Sequence, residues 1–244
     1  MNMHTSIRSA LPTEATRPRG AEMPAQRKTQ ILLAAEKLFA QFGFHAVSIR
    51  QIAQEAQVPL ALVAYYFGQK QDLFHAIFEH WSGTITERLE GLREVQRLPH
   101  SRAKLSRIVD AFVSPVIRLR SSPEGEYYAL LMTKGLSPQS NEADRVLRDF
   151  FDPMAVAYIL ALQDTLGAEC PHARVSRGTA AWCYQFGLGV LLHHLSDTRV
   201  DRLSGGQCIP NDPVVKTQLI AFIVHGIRGA VQSFHPRHSQ RKQP

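Results

Sequence analysis

The segment 48–70 carries two short helical patterns separated by a proline, and it restricts the fold more than any other part of the chain. The first pattern repeats apolar residues at i, i+3, i+4 and i+7 from Ile49 to Ala56, which gives a short helix one apolar face. Pro59 cannot continue that helix but suits the first turn of another. The second helix is expected to turn four residues inward, namely Leu62, Val63, Tyr66 and Phe67. Two short helices joined by a tight turn are typical of the helix-turn-helix, a DNA-binding motif.

The residues outside these apolar faces form the surface that we expect to meet DNA. They are Ser48, Arg50, Gln57, Pro59, Leu60, Ala61, Ala64, Tyr65 and Lys70. Ser48 suits a helix N-cap as well as a phosphate contact, because its hydroxyl can accept a backbone N–H. Lys70 begins the next helix, where free N–H groups and the ammonium would meet a phosphate together. For each charged residue the alternative is an ordinary solvated surface position.

The run from Leu60 to Ala64 has no side-chain hydrogen-bond donor. Bidentate contacts to guanine or adenine need Arg, Lys, Asn or Gln, so this run offers only apolar contact with thymine methyl groups. Arg50, Gln57 and Tyr65 are the nearest polar candidates. Sequence preference is therefore expected to depend partly on DNA shape.

A supporting helix precedes this pair. Residues 27–43 repeat apolar side chains at i, i+4, i+7 and i+11, and Gly43 supplies a natural stop. The repeating residues are Ile31, Ala35, Leu38 and Phe42, with Leu32 and Phe39 beside them. Three such helices make a minimal DNA-binding bundle, so residues 26–71 are predicted to be a helix-turn-helix domain.

This stretch resembles the tetracycline-repressor (TetR/AcrR) family of bacterial transcription regulators. The matching features are Ile31…Ala35…Leu38-Phe39…Gly43, Val47 to Ala53, Ala56-Gln57-Val58, and Tyr65 to Lys70 followed by Leu73. Many family members have Gly where this chain has Gln57, and Tyr where it has Ala64. The phosphate contact that such a Tyr often makes is assigned here to Tyr65.

The remaining chain shows helical patterns and no convincing strand, so the expected fold class is all-α. Expected helices cover residues 70–96, 101–121, 124–135, 141–166, 174–196 and 212–234. Pro153 predicts a kink near Phe150. Residues 72–235 are expected to form a helical ligand-binding and dimerisation domain. The helix 70–96 would couple motion in this domain to motion of the DNA-binding domain.

The family resemblance implies an effector pocket among the middle helices and a homodimer through the last two long helices. The candidate pocket residues are Phe112, Val116, Tyr128, Met132, Phe151, Met154, Tyr158, Trp182, Gln185 and Phe186. Taken singly, each is better explained as ordinary core. As a set they are rich in aromatic rings and polar tips, and buried Tyr and Trp need a hydrogen-bond partner. The effector is therefore expected to be mostly apolar, with a few polar groups.

The formal net charge of +7 favours a polyanionic partner. Residues 1–25 are basic, contain three prolines and lack apolar periodicity, so we expect a disordered arm. Such an arm either enters a minor groove or is a free terminus, and the basic tail 236–244 has the same ambiguity. Three cysteines without paired spacing and the lack of a signal peptide favour the cytoplasm. No apolar stretch approaches the roughly 20 residues that span a membrane.

Other chemistries find little support. His75 and Glu79 share a helix face at i, i+4 but lack a third metal ligand, and no catalytic elbow, phosphate loop or dinucleotide fingerprint occurs. We therefore expect no metal, no cofactor and no enzymatic activity. The leading hypothesis is a homodimeric repressor that binds double-stranded operator DNA and is released by a small-molecule effector. The alternatives are a helical small-molecule-binding or catalytic protein that does not bind DNA, and an activator with the same DNA-binding mode.

Overall fold

Three helices form the amino-terminal unit of the protein, which is called the head below. The computed structural model describes residues 19–123, 125–135, 141–172, 174–209 and 212–233. The head comprises α1 (Arg19–Phe42), α2 (Ile49–Glu55) and α3 (Leu60–Phe67). Ile31, Ile52 and Val63, one from each helix, are completely buried, as the apolar repeats predict. Phe42 is the exception to the α1 pattern, because it lies at the end of the helix and is largely exposed.

The second unit, called the helical domain below, begins with α4 (Lys70–His80) and α5 (Ser82–Gln96). The sequence predicted one continuous helix over residues 70–96, and this prediction is wrong at Trp81. The backbone of Trp81 adopts φ −92° and ψ 6°, outside the α-helical region. The indole of Trp81 meanwhile donates a hydrogen bond to α1. The break thus lies where the helical domain meets the head.

The other helices complete an all-helical architecture, and the described ranges contain no strand. They are α6 (Lys104–Arg120), α7 (Glu126–Gly135), α8 (Asn141–Val146), α9 (Asp152–Glu169), α10 (Arg177–Ser196), α11 (Val200–Leu203) and α12 (Lys216–Ser233). α7 packs along α1, α6 along α5, and α10 lies between α9 and α12. The all-α prediction is confirmed.

Pro153 predicted a kink near Phe150, and the type of helix changes at that place. A π-helical segment, Leu147–Phe151, separates α8 from α9, and Pro153 lies in the first turn of α9. Proline has no N–H to donate and its ring crowds the carbonyl four residues earlier, so a wider turn before it relieves both problems. The helix runs on to Glu169, past the expected stop at Gly167.

The chain ends differ from the expected boundaries. α1 begins at Arg19, so residues 19–25 are helical where a disordered arm was expected. Residues 1–18 of that arm and the basic tail 236–244 lie outside the described residues. The single-turn helix α11 lies between the expected helices 174–196 and 212–234, where no helix was expected. Among the described helices, none combines the length and the apolarity that crossing a membrane requires.

Candidate DNA-binding surface and effector domain

Ser48 fixes the start of α2. Its hydroxyl accepts a hydrogen bond from the Gln51 N–H at 3.3 Å, and the Gln51 side-chain oxygen accepts the Ser48 N–H at 2.8 Å. This reciprocal pair is a capping box, which satisfies two N–H groups that the helix start leaves free. The predicted N-cap is confirmed. A phosphate contact by Ser48, which is exposed, stays a prediction.

The turn between α2 and α3 depends on an unusual backbone conformation at Gln57. Its φ of +55° lies in the left-handed region, which side chains disfavour and glycine accepts. This geometry explains why the resembling family often has Gly at this position. Gln57 itself is exposed, so its amide lies at the surface beside α3.

The helix α3 divides into two faces as the sequence predicted. Val63 and Phe67 are buried against the head, whereas Tyr65 is 79% exposed and Leu60 is 48% exposed. The remaining residues that were expected to face outward are also exposed, namely Arg50 of α2, Pro59, Ala61 and Ala64. A short helix with an exposed and mostly uncharged outer face is thus anchored to the head by two buried residues.

Lys70 differs from its sequence-based prediction. Its ammonium donates hydrogen bonds to the carbonyl oxygens of Phe44 and Val47, both at 2.8 Å. It also lies 4.3 Å from the centre of the Phe44 ring, and partial burial lowers the pKa of Lys70. The ammonium therefore points into the connection between α1 and α2, because that connection ends in carbonyl groups without helical partners. Lys70 therefore holds this turn in place, and a phosphate contact by Lys70 stays a prediction.

A buried carboxyl group joins the head to the helical domain. Glu36 of α1 is 1% exposed, and the indole Nε1–H of Trp81 donates to its Oε2 at 2.7 Å. The Trp81 ring stacks on Tyr128 of α7, with ring centres 5.4 Å apart. Burial raises the pKa of Glu36 from 4.5 to about 7, although the Trp81 hydrogen bond opposes this shift. This cluster of three residues, called the joint below, couples the two units through direct contact.

Polar pairs link α4 to α8 and to the π-helical segment. Arg145 lies 3.0 Å from Asp72, and His75 Nε2 lies 2.9 Å from Asp149 Oδ2. His75 is thus oriented toward an acidic residue of the π-helical segment. These pairs add contacts between the beginning of the helical domain and its kinked helix.

The predicted effector residues fall into two groups. Seven of them are buried or half-buried, namely Phe112, Val116, Tyr128, Met132, Phe151, Met154 and Tyr158. Phe112 meets Tyr158 edge to face, with ring centres 5.0 Å apart. Phe78 lies between Phe151 and Tyr128, at 6.1 and 5.5 Å. These residues form an aromatic interior next to the joint.

The other three predicted effector residues do not lie in the interior of the chain, so their predicted place among the core residues is wrong. Trp182 is 55% exposed, Phe186 is 50% exposed, and Gln185 is exposed too. They lie on the outer face of α10, whose opposite face buries its own set of residues. The helix is apolar on both faces, so its periodicity cannot tell an internal face from an external one. Gln185 and Phe186 line an open groove of about 1210 Å³ between α10, α12 and the intervening segment.

Sequence reasoning missed the buried charged residues, of which Glu36 and Arg88 lie in or beside the joint and the aromatic interior; Lys104 and Glu142 are buried as well. Arg88 of α5 is 4% exposed, and burial lowers its pKa. The signal was periodicity, because Glu36 is in phase with Leu32 and Phe39, and Arg88 is in phase with the buried residues of its own helix. A charge in phase with an apolar stripe indicates a buried charge.

Comparison with known proteins agrees with this geometry. Residues 31–77 match the model of bacterial regulatory proteins of the tetR family, and residues 110–226 match the model of the tetracyclin repressor-like C-terminal domain. The HTH-type transcriptional regulator Mb3439c of Mycobacterium bovis is 31% identical over 165 residues, which cover 64% of this chain and 82% of that protein.

Two further relatives extend the comparison. HbdR is an HTH-type transcriptional regulator of Aromatoleum sp. (strain CIB), and it is 36% identical to this chain over 91 residues. The match covers 35% of this chain and 40% of the length of HbdR. The transcriptional regulator FadR of Bacillus subtilis shares the fold with a TM-score of 0.53 at 17% identity, over 81% of this chain and 98% of FadR.

The family models cover both units of the molecule, and the relatives are named as transcriptional regulators and not as enzymes. The head supplies the helix-turn-helix, with α3 as its exposed second helix, and the helical domain supplies the family's second unit. The chain therefore belongs to the tetracycline-repressor family of bacterial transcriptional regulators.

Proposed function

We propose that this protein is a homodimeric repressor that leaves its operator when a small, mostly apolar molecule binds in the helical domain. The observation that carries the proposal is the outer face of α3. Its exposed residues Leu60, Ala61, Ala64 and Tyr65 project from a head whose core residues are fully buried. A rigid helix presented in this way is the element that helix-turn-helix proteins insert into the major groove.

The outer surface of α10 and α12 supports a homodimer. Trp182, Phe186 and Phe222 are each at least half exposed, and the rings of Trp182 and Phe186 lie 5.6 Å apart. Apolar surface of this extent is unusual on a monomer and commonly marks an interface. Gly187 lets α10 approach Ile223 of α12 closely, so the two helices can present one continuous face. A two-fold dimer would place two copies of α3 about 34 Å apart, as successive major grooves require.

The joint supports a link between effector and DNA. Tyr128 belongs to the aromatic interior, stacks on Trp81, and through Trp81 contacts Glu36 of the head. An effector that packs against this interior in one arrangement of α5 and α7 would favour one orientation of the head. Release needs only a difference in affinity between two conformers, typically about 1–3 kcal/mol. FadR of Bacillus subtilis, which shares the fold, forms a complex with stearoyl-CoA, a ligand whose stearoyl chain is apolar.

The proposal is tested by gel-shift titration of the full chain on the DNA upstream of its own gene, at several salt concentrations. We expect specific binding that Tyr65→Ala weakens about tenfold, since it removes an exposed contact at the α3 surface. Leu160→Ala, at an exposed apolar position of α9, is the matched control and should bind normally. Binding that is equal for both variants, or no binding to DNA at any salt concentration, would favour the non-DNA-binding alternative. Transcription in vitro from the same DNA separates a repressor from an activator.

A further inference from the structure

The guanidinium of Arg88 is a buried cation without an acidic partner. Arg88 is 4% exposed, and no carboxylate of the described residues forms an ion pair with it. Its Nε–H finds no hydrogen-bond acceptor in the described part of the chain. The guanidinium lies over the ring of Phe112, 4.2 Å from its centre. A second half-buried arginine, Arg228, shows the usual arrangement, because its Nε lies 3.0 Å from Glu169 Oε2.

Tyrosine side chains surround the guanidinium, and one of them is unpaired as well. Tyr128, Tyr158 and Tyr184 all interact electrostatically with Arg88. The Tyr158 hydroxyl donates at 2.8 Å to the backbone carbonyl of Arg88 and is therefore occupied. The Tyr128 hydroxyl is fully buried and lies beside the Thr84 side chain, but it forms no hydrogen bond of normal geometry with the described residues. Two buried donors in one aromatic interior thus lack a well-placed acceptor.

Burying an ionised guanidinium without a hydrogen-bond acceptor is unfavourable unless a ligand supplies the acceptor. Arginine stays ionised even when buried, and a buried charge is tolerated when it is paired and hydrogen-bonded. The contact with Phe112 recovers only part of what the guanidinium loses by leaving water. An acceptor that carries one negative charge would satisfy both Arg88 and Tyr128. A doubly charged phosphate would leave one charge uncompensated in the same apolar surroundings.

We propose that Arg88 binds the carboxylate of the effector, which is an organic acid with an apolar or aromatic body. The carboxylate would accept hydrogen bonds from the guanidinium and from the Tyr128 hydroxyl, while the body packs among the rings around Phe112. This inference rests on the proposed effector site and names the class of its ligand. Tyr128 also stacks on Trp81 of the joint, so an acid bound here touches the residue that leads to the head.

The test is thermal unfolding of the full chain, without DNA, in the presence of defined acids. The probes are hexanoate, octanoate, dodecanoate and benzoate below any micellar concentration, each compared with its uncharged amide, and inorganic phosphate. We expect at least one acid to raise the melting temperature while its amide and phosphate leave it unchanged. Arg88→Met should melt higher than the unliganded wild type, because it removes an unpaired buried charge. It should also weaken binding of that acid on the order of a hundredfold.

Two further variants keep the test decisive. Tyr128→Phe, which removes only the hydroxyl, should weaken acid binding about tenfold in calorimetric titration. Arg228→Met should lower the melting temperature, because it leaves Glu169 unpaired. The inference is overturned if Arg88→Met melts below the wild type, if acid and amide act alike, or if none of the acids has an effect. If an acid binds through Arg88 but does not release DNA, the inference stands and the proposed function fails.

Discussion

The head and the helical domain differ in how many apolar faces their helices have. In the head, α2 and α3 each have one apolar face, and the core formed by residues such as Ile52 and Val63 lies where that face predicts. In the helical domain, α10 is apolar on both sides, and α5 carries Arg88 on its buried side. A unit that only presents a surface needs one core. The proposed function gives the helical domain a ligand and a second subunit to bind, and such a unit needs apolar or polar groups placed for partners outside the chain.

The strongest test of this comparison concerns the outer face of the helical domain. Phe222→Asp places a charge at a position of α12 that is 67% exposed in the single chain. We expect the dimer to dissociate and DNA affinity to fall by about 10²–10⁴, because two linked heads bind far more tightly than one. Light scattering and gel shift measure the two effects. Leu160→Asp, on the exposed side of α9, should change neither, and a dimeric Phe222→Asp protein would show that this face is not the interface.

The next test concerns the joint and depends on pH. Because the pKa of Glu36 is raised to about 7 in the folded protein, folding takes up a proton as the pH rises above 4.5. The Glu36 contribution to stability is therefore present at low pH and lost between about pH 4.5 and 7, by about 3 kcal/mol. Glu36→Gln should be more stable than the wild type at pH 8 and nearly equal to it at pH 5. Urea unfolding at both values measures this.

Glu79→Gln provides the control for that experiment, because Glu79 is an exposed carboxylate of α4. Its stability should follow the wild type at both pH values. If Glu36→Gln also follows the wild type, the carboxyl group at the joint is ionised and solvated, and the link between the units needs another explanation.

A third test separates two cations, Arg50 of the head and Lys70 at the start of α4. Arg50 is exposed, so Arg50→Ala should weaken DNA binding and flatten its salt dependence by about one unit. Lys70 is hydrogen-bonded to the carbonyls of Phe44 and Val47, so Lys70→Ala should destabilise the head by about 1–3 kcal/mol and leave the salt slope unchanged. Anisotropy titrations and chemical unfolding distinguish them. A flattened slope for Lys70→Ala would mean that its ammonium turns outward to a phosphate.

The smallest expected effect concerns the turn before α3. Gln57→Gly removes a side chain from a residue with φ +55° and should stabilise the protein by about 0.5–1 kcal/mol, after allowance for the greater freedom of unfolded glycine. Gln54→Gly, in the exposed part of α2, should destabilise by about the same amount. Equal destabilisation by both would show that the turn does not require the left-handed conformation.

The sequence predicted most of the head and most of the helical segments of the helical domain, because these depend on local periodicity and on proline and glycine. It did not predict the break at Trp81, since Gly83, the nearest glycine, lies within α5 and a tertiary contact with Glu36 accompanies the break. It also placed Trp182 inside the molecule, because the apolar residues of α10 have the same spacing on its exposed face as on its buried face. The pairing of Lys70 with backbone carbonyls was not predictable, since those acceptors come from a connection more than twenty residues earlier.

The central claim is that the outer face of α3 contacts DNA, and photochemical cross-linking tests it most directly. Ala61, exposed on α3, is replaced by p-benzoylphenylalanine, and Leu160, exposed on α9, receives the same replacement as a reference. Both proteins are irradiated on the upstream DNA under conditions where the wild type binds. Our account predicts covalent protein–DNA product from position 61 and none from position 160. Retained binding with no product from position 61 would contradict it.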